Sequence, residues 1–218
     1  MKPYYQHAGI TIYHGDCREI LPNIKCDCVV TDPPYGIGYK PTWKKWNGSD
    51  SAWTAIIGDD ISFDPSHLLT FRRLALWGAN YYSWSLPIGS WMCWDKRCSA
   101  SLDAMAGSSF ELAWLRSVDK ALPLTTMVRI LHGGVVNADS ADGNNDARYH
   151  PTQKPVKLME KCIVALNEKE LVADPYMGSG STLLAAKNLG LSAIGIEIEE
   201  KYCEIAAKRL SQEVLEFK

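Results

Sequence analysis

No run of about 18 apolar residues occurs in the 218-residue chain, so no membrane-spanning helix is expected. The opening residues, MKPYYQHAGI, lack the apolar stretch of a secretory signal, and a cytoplasmic location is the expectation. Net charge is also scarce. There are 23 Lys and Arg against 25 Asp and Glu, a formal charge of -2 and a pI near 6.2. That excludes a surface that is basic all round, although a local basic groove stays compatible with DNA. The five histidines show no paired ligand spacing and no acidic metal-binding nuclease motif is present, so no metal site is expected. Seven cysteines form no C-x-x-C pair: Cys26 and Cys28 are too close, and reduced thiols are expected. Internal repeats and long linkers are missing as well. One domain over residues 1–218 is the default reading.

What is present is an ordinary globular composition, 46% hydrophobic and 22% charged. Apolar runs alternate with helical periodicity. Strands are expected at 10–14, 27–31, 74–77, 90–94, 110–115, 171–175 and 192–198. Helices are expected near 17–23, from Asp64-Pro65, at 155–167, at 182–189 and from Glu199. Strands that alternate with helices predict an α/β fold with a parallel, doubly wound sheet. Two stretches have no clear period. Residues 36–58 read as a mobile lid or substrate loop, and 116–149, with its ADSADGNND run, as a small target-recognition segment. Most of the eight tryptophans are expected in the core or at the rim of the site.

The strand–turn–helix unit LVADPYMGSGSTLLAA carries the first chemical signal. Gly178 and Gly180 permit a tight turn and close backbone approach by a ligand. The helix behind them presents free N–H groups. Glu197, at the tip of the next strand, suits a ribose diol. Leu183 stands where a dinucleotide motif has its third glycine, and the P-loop lysine is missing, so a nucleoside cofactor is favoured over either.

Asp32-Pro33-Pro34-Tyr35 carries the second signal, directly after a buried strand. Two prolines remove two N–H donors and leave carbonyl acceptors in a stiff turn. A carboxylate beside a carbonyl holds both hydrogens of an amino group, and Tyr35 offers a face for a flat base. Such a nitrogen is a poor nucleophile because its lone pair is delocalised into the ring. Two acceptors draw it toward tetrahedral geometry and stabilise the charge that develops as it is methylated.

Together these motifs resemble the amino-group DNA methyltransferases. DPPY precedes DPYMGSGST, an order that resembles the β class of that family. His150-Pro151-Thr152-Gln153-Lys154-Pro155, GIEIEEKYCEIAAKRL and, less specifically, LALWGANYY and WMCWDKR add to the likeness. The resemblance implies a Rossmann-like S-adenosylmethionine-dependent fold, with a seven-stranded, mostly parallel sheet that has one antiparallel strand. It implies S-adenosylmethionine as cofactor, held by Asp174, Tyr176, Gly178, Ser179, Gly180 and Thr182, with Glu197 on the ribose. Asp16 would lie near the cofactor adenine, Lys154 and Pro155 near its methionine end, and Asp32 between cofactor and target. Asp32, Pro33, Pro34 and Tyr35 would hold the target base. Tyr176 departs from the family, in which Phe is commoner there.

A base must leave the duplex to reach such a site, at a cost of a few kcal/mol. Lys40, Lys44 and Lys45, with Trp43 and Trp46, are candidates to grip phosphates or fill the vacated stack. Lys96, Arg97, Arg116, Arg129 and Arg148 are further candidates. Adenine N6 is the expected target, because Asp at the first tetrapeptide position is typical of adenine enzymes and Ser of cytosine enzymes. Cytosine N4 is the alternative, followed by an RNA or protein amide, or a cofactor-binding subunit without catalysis. Double-stranded DNA is the expected partner. A homodimer and a separate restriction endonuclease are candidate partners, and a short or relaxed target sequence is expected.

Overall fold

A computed structural model of the chain describes residues 1–39, 55–96, 108–130, 149 and 152–211. Among the described residues nine strands form one sheet: β1 Tyr5–His7, β2 Ile10–His14, β3 Cys28–Thr31, β4 Arg73–Trp77, β5 Ser90–Asp95, β6 Phe110–Ser117, β7 Thr125–Arg129, β8 Leu171–Asp174 and β9 Ser192–Glu197. Their order across the sheet is β1-β2-β9-β8-β3-β4-β6-β5-β7. The seven strands from β2 to β5 in that order are parallel except for β6, which runs antiparallel to both neighbours. This is the expected mostly parallel α/β sheet, with one added strand at each edge.

Both additions have local causes. Ala8 and Gly9, with φ of 46° and 79°, close the two-residue hairpin that folds β1 back on β2. β7 pairs in parallel with β5, and alternate residues face solvent. Only one face of β7 is covered, so its hydrophobic run is short, and the TTMVR segment reads as part of a polar stretch in the sequence.

Four helices cover the sheet: α1 Cys17–Ile20, α2 Val156–Ala165, α3 Ser181–Asn188 and α4 Glu200–Ser211. One apolar layer joins α2, α3 and α4 to one face through Leu158, Ile163, Leu183, Ala206 and Leu210. The other face packs on Ile20, Leu21, Leu68, Ala79 and Tyr82. All four residues of β3 are buried, as a central parallel strand covered on both faces requires. Trp77, Trp94 and Trp114 are fully buried, whereas Trp84 is exposed. Among the described residues no helix is long and apolar enough to cross a membrane.

One expected helix is not formed. Asp64 caps the backbone N–H of Ser66 at 2.9 Å, but the following residues make only i to i+3 turns before the chain enters β4. The distance from Pro65 to Arg73 leaves room for turns and not for a helix with its own exit. At the far end of α2, Asn167 takes a φ of 57° and the Glu168 N–H donates to the Ile163 carbonyl, which ends the helix.

Gly195 in β9 admits no side chain: a Cβ there would lie 2.3 Å from Met177 Sδ and 2.8 Å from Leu183 Cδ2. Gly195→Ala is therefore expected to cost about 1–3 kcal/mol through overpacking. Urea unfolding reads this directly, and an unchanged midpoint would show that Met177 yields freely.

Candidate active site

The carboxyl ends of the parallel strands lie along one edge of the sheet. Strand order reverses between β3 and β8, and ligands of open α/β sheets bind in the crevice at such a reversal. Here Thr31 and Asp174 meet. The Thr31 hydroxyl donates to Asp174 Oδ1 at 2.6 Å, and the Tyr176 N–H donates to the same oxygen at 3.1 Å. Burial pushes the Asp174 carboxyl up to about 6 against these bonds.

On the β8–β9 side the glycine turn, a carboxylate and an aromatic wall come together. Gly178 and Gly180 have φ of 49° and 82°, conformations that suit glycine. A Cβ on Gly180 would sit 2.9 Å from Ala206 Cβ, so the turn lies tightly on α4. The Gly178 N–H donates to Glu197 Oε2 at 2.9 Å and the Glu199 N–H to Oε1 at 2.8 Å. Each carboxylate oxygen thus keeps lone-pair capacity for a further donor. Burial raises the Glu197 pKa, opposed by these backbone donors. Asp16 caps α1 through the Arg18 N–H at 2.8 Å and follows β2, the strand beside β9. Tyr176 packs edge-on against Phe63 and His67, and its hydroxyl lies 3.1 Å from His67 Nε2. The hydroxyl gained in place of Phe thus has a partner.

On the β3–β4 side the DPPY turn is fixed from below and behind. The Tyr35 hydroxyl donates to Asp32 Oδ1 at 2.5 Å. Its ring stacks on Tyr81, with centroids 5.3 Å apart and planes at 18°. Gly78 makes room for it, since a Cβ there would lie 2.0 Å from Tyr35 Cε1. Asp59, which the sequence reading missed, holds the chain beyond the turn. Its Oδ1 accepts from the N–H groups of Tyr35 and Gly36, both at 2.9 Å, and Ile37 at 3.4 Å, and its Oδ2 from Tyr39 at 2.6 Å. Asp59 is itself buried. A Gly-Asp-Asp run gives little hint of this, because an aspartate in a polar loop is usually solvated.

One segment joins the two sides. Gln153 Oε1 accepts from the Ser179 hydroxyl of the glycine turn at 2.9 Å. The next residue, Lys154, points at the DPPY turn: Nζ lies 2.6 Å from Asp32 Oδ2, 3.0 Å from the Tyr35 hydroxyl and 3.1 Å from Glu111 Oε2. Lys96 completes the cluster, 2.6 Å from Glu111 Oε1. Burial alone would depress the Lys154 ammonium, but Asp32 and Glu111 outweigh it and raise its pKa. Burial opposes ionisation of Glu111, yet Lys154 and Lys96 hold it down to about 2. Burial raises the Asp32 pKa, with Lys154 opposing and Glu111 adding to the rise. Glu111 was also missed. Its signal is a lone acid in FELAWL at a position that alternates with the buried Ala113 and Leu115.

The structure thus gathers Asp16, Asp32 to Tyr35, Lys154, Asp174, Tyr176, Gly178 to Gly180 and Glu197 along one sheet edge. Thr182 is buried at the start of α3. Pro155 precedes α2, and Lys154 turns toward Asp32 rather than into the glycine turn. Of the candidates for DNA contact, Arg116 donates to the Leu69 and Phe71 carbonyls, both at 2.6 Å. Arg129 pairs with the buried Asp95 at 3.1 Å. Lys96 pairs with Glu111. Lys40, Trp43, Lys44, Lys45, Trp46, Arg97 and Arg148 lie outside the described residues, as does most of the expected loop at 36–58.

Comparison with known proteins agrees with this geometry. A family model described as DNA methylase matches residues 126–208. The type II methyltransferase M2.LlaDCHI of Lactococcus lactis subsp. cremoris is 27% identical over 256 aligned positions, which cover 97% of this chain and 93% of that protein. Among solved structures, the M1.HpyAVI–SAM complex aligns with a TM-score of 0.54 at 22% identity, over 93% of this chain and all of that one. The PvuII DNA methyltransferase, described as cytosine-N4-specific, aligns at 0.63 and 17%, over 98% and 90%. The chain is thus similar in sequence to DNA methyltransferases and shares their fold.

The site has the parts that a nucleoside ligand needs. The glycine turn gives backbone access, Glu197 keeps lone pairs at the end of β9, and the Ser181 hydroxyl is buried without a partner among the described residues. These features fit a nucleoside with an amino-acid tail.

Two outcomes follow. Asp174 has a folded pKa of about 6, above its ordinary 3.8, so the stability it contributes is present below the ordinary value and is lost as pH rises through 6. The wild type should lose on the order of 3 kcal/mol from this group between pH 4 and pH 8. Asp174→Asn should flatten that slope in urea titrations at the two pH values, and an unaltered slope would show that Asp174 does not carry it. Asp59→Ala strips the acceptor from four N–H groups and should cost about 1–3 kcal/mol or more. Methylation should drop with it, and full activity would show that the turn keeps its shape unaided.

Proposed function

We propose that this chain is a DNA methyltransferase that uses S-adenosylmethionine as cofactor and acts on N6 of adenine, flipped out of double-stranded DNA into the crevice between β3 and β8. The observation that carries the reading is Asp32: a half-buried carboxylate at the β3 tip, opening a two-proline turn and standing beside the glycine-turn side of the sheet edge. In this reading Asp32 accepts one hydrogen of the target amine, and a carbonyl of the Pro33–Pro34 turn accepts the other. Tyr35 supports the base, and its hydroxyl holds Asp32 in place. Both acceptors strengthen as the amine becomes positive, which places their effect in the transition state.

S-adenosylmethionine supplies a methyl group on a sulfonium sulfur. Glu197, Asp16, Tyr176 and the turn at Gly178 to Gly180 would hold it beside the amine, and it would give its methyl to the amine nitrogen, leaving the carbon–sulfur electron pair on sulfur. The surplus amine proton passes to Asp32, whose raised pKa suits brief protonation, and then to solvent.

Asp rather than Ser at the first tetrapeptide position supports adenine over cytosine. The fold itself does not discriminate, because the cytosine-N4-specific PvuII enzyme shares it.

The test is to incubate the protein with S-adenosylmethionine and unmethylated DNA and to analyse the nucleosides by mass spectrometry. N6-methyladenine is the expected product. N4-methylcytosine would overturn the base assignment and leave the acceptor mechanism standing. Asp32→Ala should lower turnover by at least about 100-fold with cofactor binding retained. Normal turnover in that variant would remove Asp32 from the mechanism.

A further inference from the structure

Lys154 presents an electrostatic problem for the reading above. A buried ammonium 2.6 Å from Asp32 Oδ2 occupies an oxygen that the target amine also needs. It also places a fixed positive charge beside a nitrogen that becomes positive during the reaction. Left alone, it would oppose transfer. It is not left alone. β6 is the one antiparallel strand within the central seven, so its amino-terminal end, with Glu111, lies at the same sheet edge as the carboxyl ends of its neighbours. Glu111 comes within 3.1 Å of the ammonium from that side, and Lys96 at the end of β5 holds Glu111 from behind at 2.6 Å.

We propose that Glu111 is a positioning residue for methyl transfer: by sharing the Lys154 ammonium with Asp32, it keeps Asp32 available as the acceptor for the target amine. This rests on Asp32 having that role. Asp32 and Glu111 are two seats for one cation. When the amine enters, Lys154 shifts its weight toward Glu111 and frees Asp32 Oδ2, with little change in the charge of the cluster. Asp32, Glu111, Lys154 and Lys96 sum to zero, so the buried site carries no net charge before the cofactor and base arrive. Loss of the Glu111 charge would leave one positive charge beside Asp32 and fix Lys154 there.

The groups that face Asp32 are Lys154 ahead of α2, Glu111 from β6, Asp174 from β8, Tyr82 after β4, and Tyr35 of its own turn. Glu111 and Lys96 can be altered without touching the acceptor, its turn or the ammonium. Glu111 acts on Asp32 in one sense: its negative charge favours the protonated form. Removing that charge therefore moves the acid limb of the kcat profile to lower pH, while kcat on the plateau falls. Removing Lys96 strengthens the field of Glu111 and moves the limb to higher pH.

The experiment measures kcat against pH for wild type, Glu111→Gln, Glu111→Asp and Lys96→Met on unmethylated DNA, with the Kd for S-adenosylmethionine from calorimetry. Glu111→Gln should lower plateau kcat roughly 10- to 100-fold, as loss of one preorganised charge does. Its acid limb should move down and the cofactor Kd should stay within about twofold. Glu111→Asp should recover part of the rate, and Lys96→Met should move the limb the opposite way. A Glu111→Gln enzyme with wild-type kcat and limb overturns the proposal. So does a loss confined to thermal stability or cofactor Kd. If Glu111→Gln does not fold, the Lys96→Met limb decides: an upward shift supports the proposal and an unmoved limb overturns it. Wild type that yields no methylated amino base refutes the Asp32 reading instead, and so separates the two failures.

Discussion

The ammonium of Lys154 is the charge on which the site depends. It is buried among groups that would be costly to place together without it: two carboxylates, a phenol and the face of an indole. A buried ion is tolerable only where its partners are close and well oriented, and here the distances lie between 2.6 and 3.1 Å. Removing any one member would strand the others. That requirement explains why separate chain segments hold these charged residues at one point of the sheet edge.

The fold supplies the approach of these segments. Parallel strands align their carboxyl ends, and the reversal of order between β3 and β8 opens the crevice there. A single antiparallel strand, β6, brings an amino-terminal end to the same edge and with it Glu111. The tightest packing serves the same end. Gly78 gives up its side chain to the Tyr35 ring, Gly36 to the backbone at Ile61, and Gly195 to Met177 and Leu183 behind the glycine turn. At each of these positions a methyl group would displace a wall of the site.

Much of this was legible in the sequence because it depends on local chemistry. Strands rich in buried β-branched residues, a glycine turn at a strand end and a two-proline turn at another each announce themselves within a few residues. The mostly parallel sheet was read in this way, and so were the glycine turn, Glu197 and Asp32 as candidate residues that the fold brings to one edge. What escaped depends on tertiary approach. Asp59 matters because four N–H groups of another segment converge on it, and nothing near it in sequence says so. Glu111 looks like an ordinary strand residue until the pairing of β6 puts it at the site edge. Lys154 was legible as a candidate site residue, but the sequence does not show that its ammonium turns toward Asp32 and Glu111. β7 was hidden by its exposed face, and the turns after Asp64 resemble a helix start in composition alone.

Gln153 and Lys154 are consecutive residues that face different ligand sides: one is hydrogen-bonded to Ser179 of the glycine turn and the other to Asp32. A peptide bond is too short and stiff to let one move far without the other. In the proposed reading, a displacement of the glycine turn on cofactor binding would therefore be transmitted to Asp32, and a displacement of Lys154 by an entering base would be transmitted back. Such coupling is reciprocal by thermodynamic necessity. Whatever factor the first ligand applies to the affinity of the second, the second applies to the first, so the order of their arrival changes the kinetics and not the final occupancy.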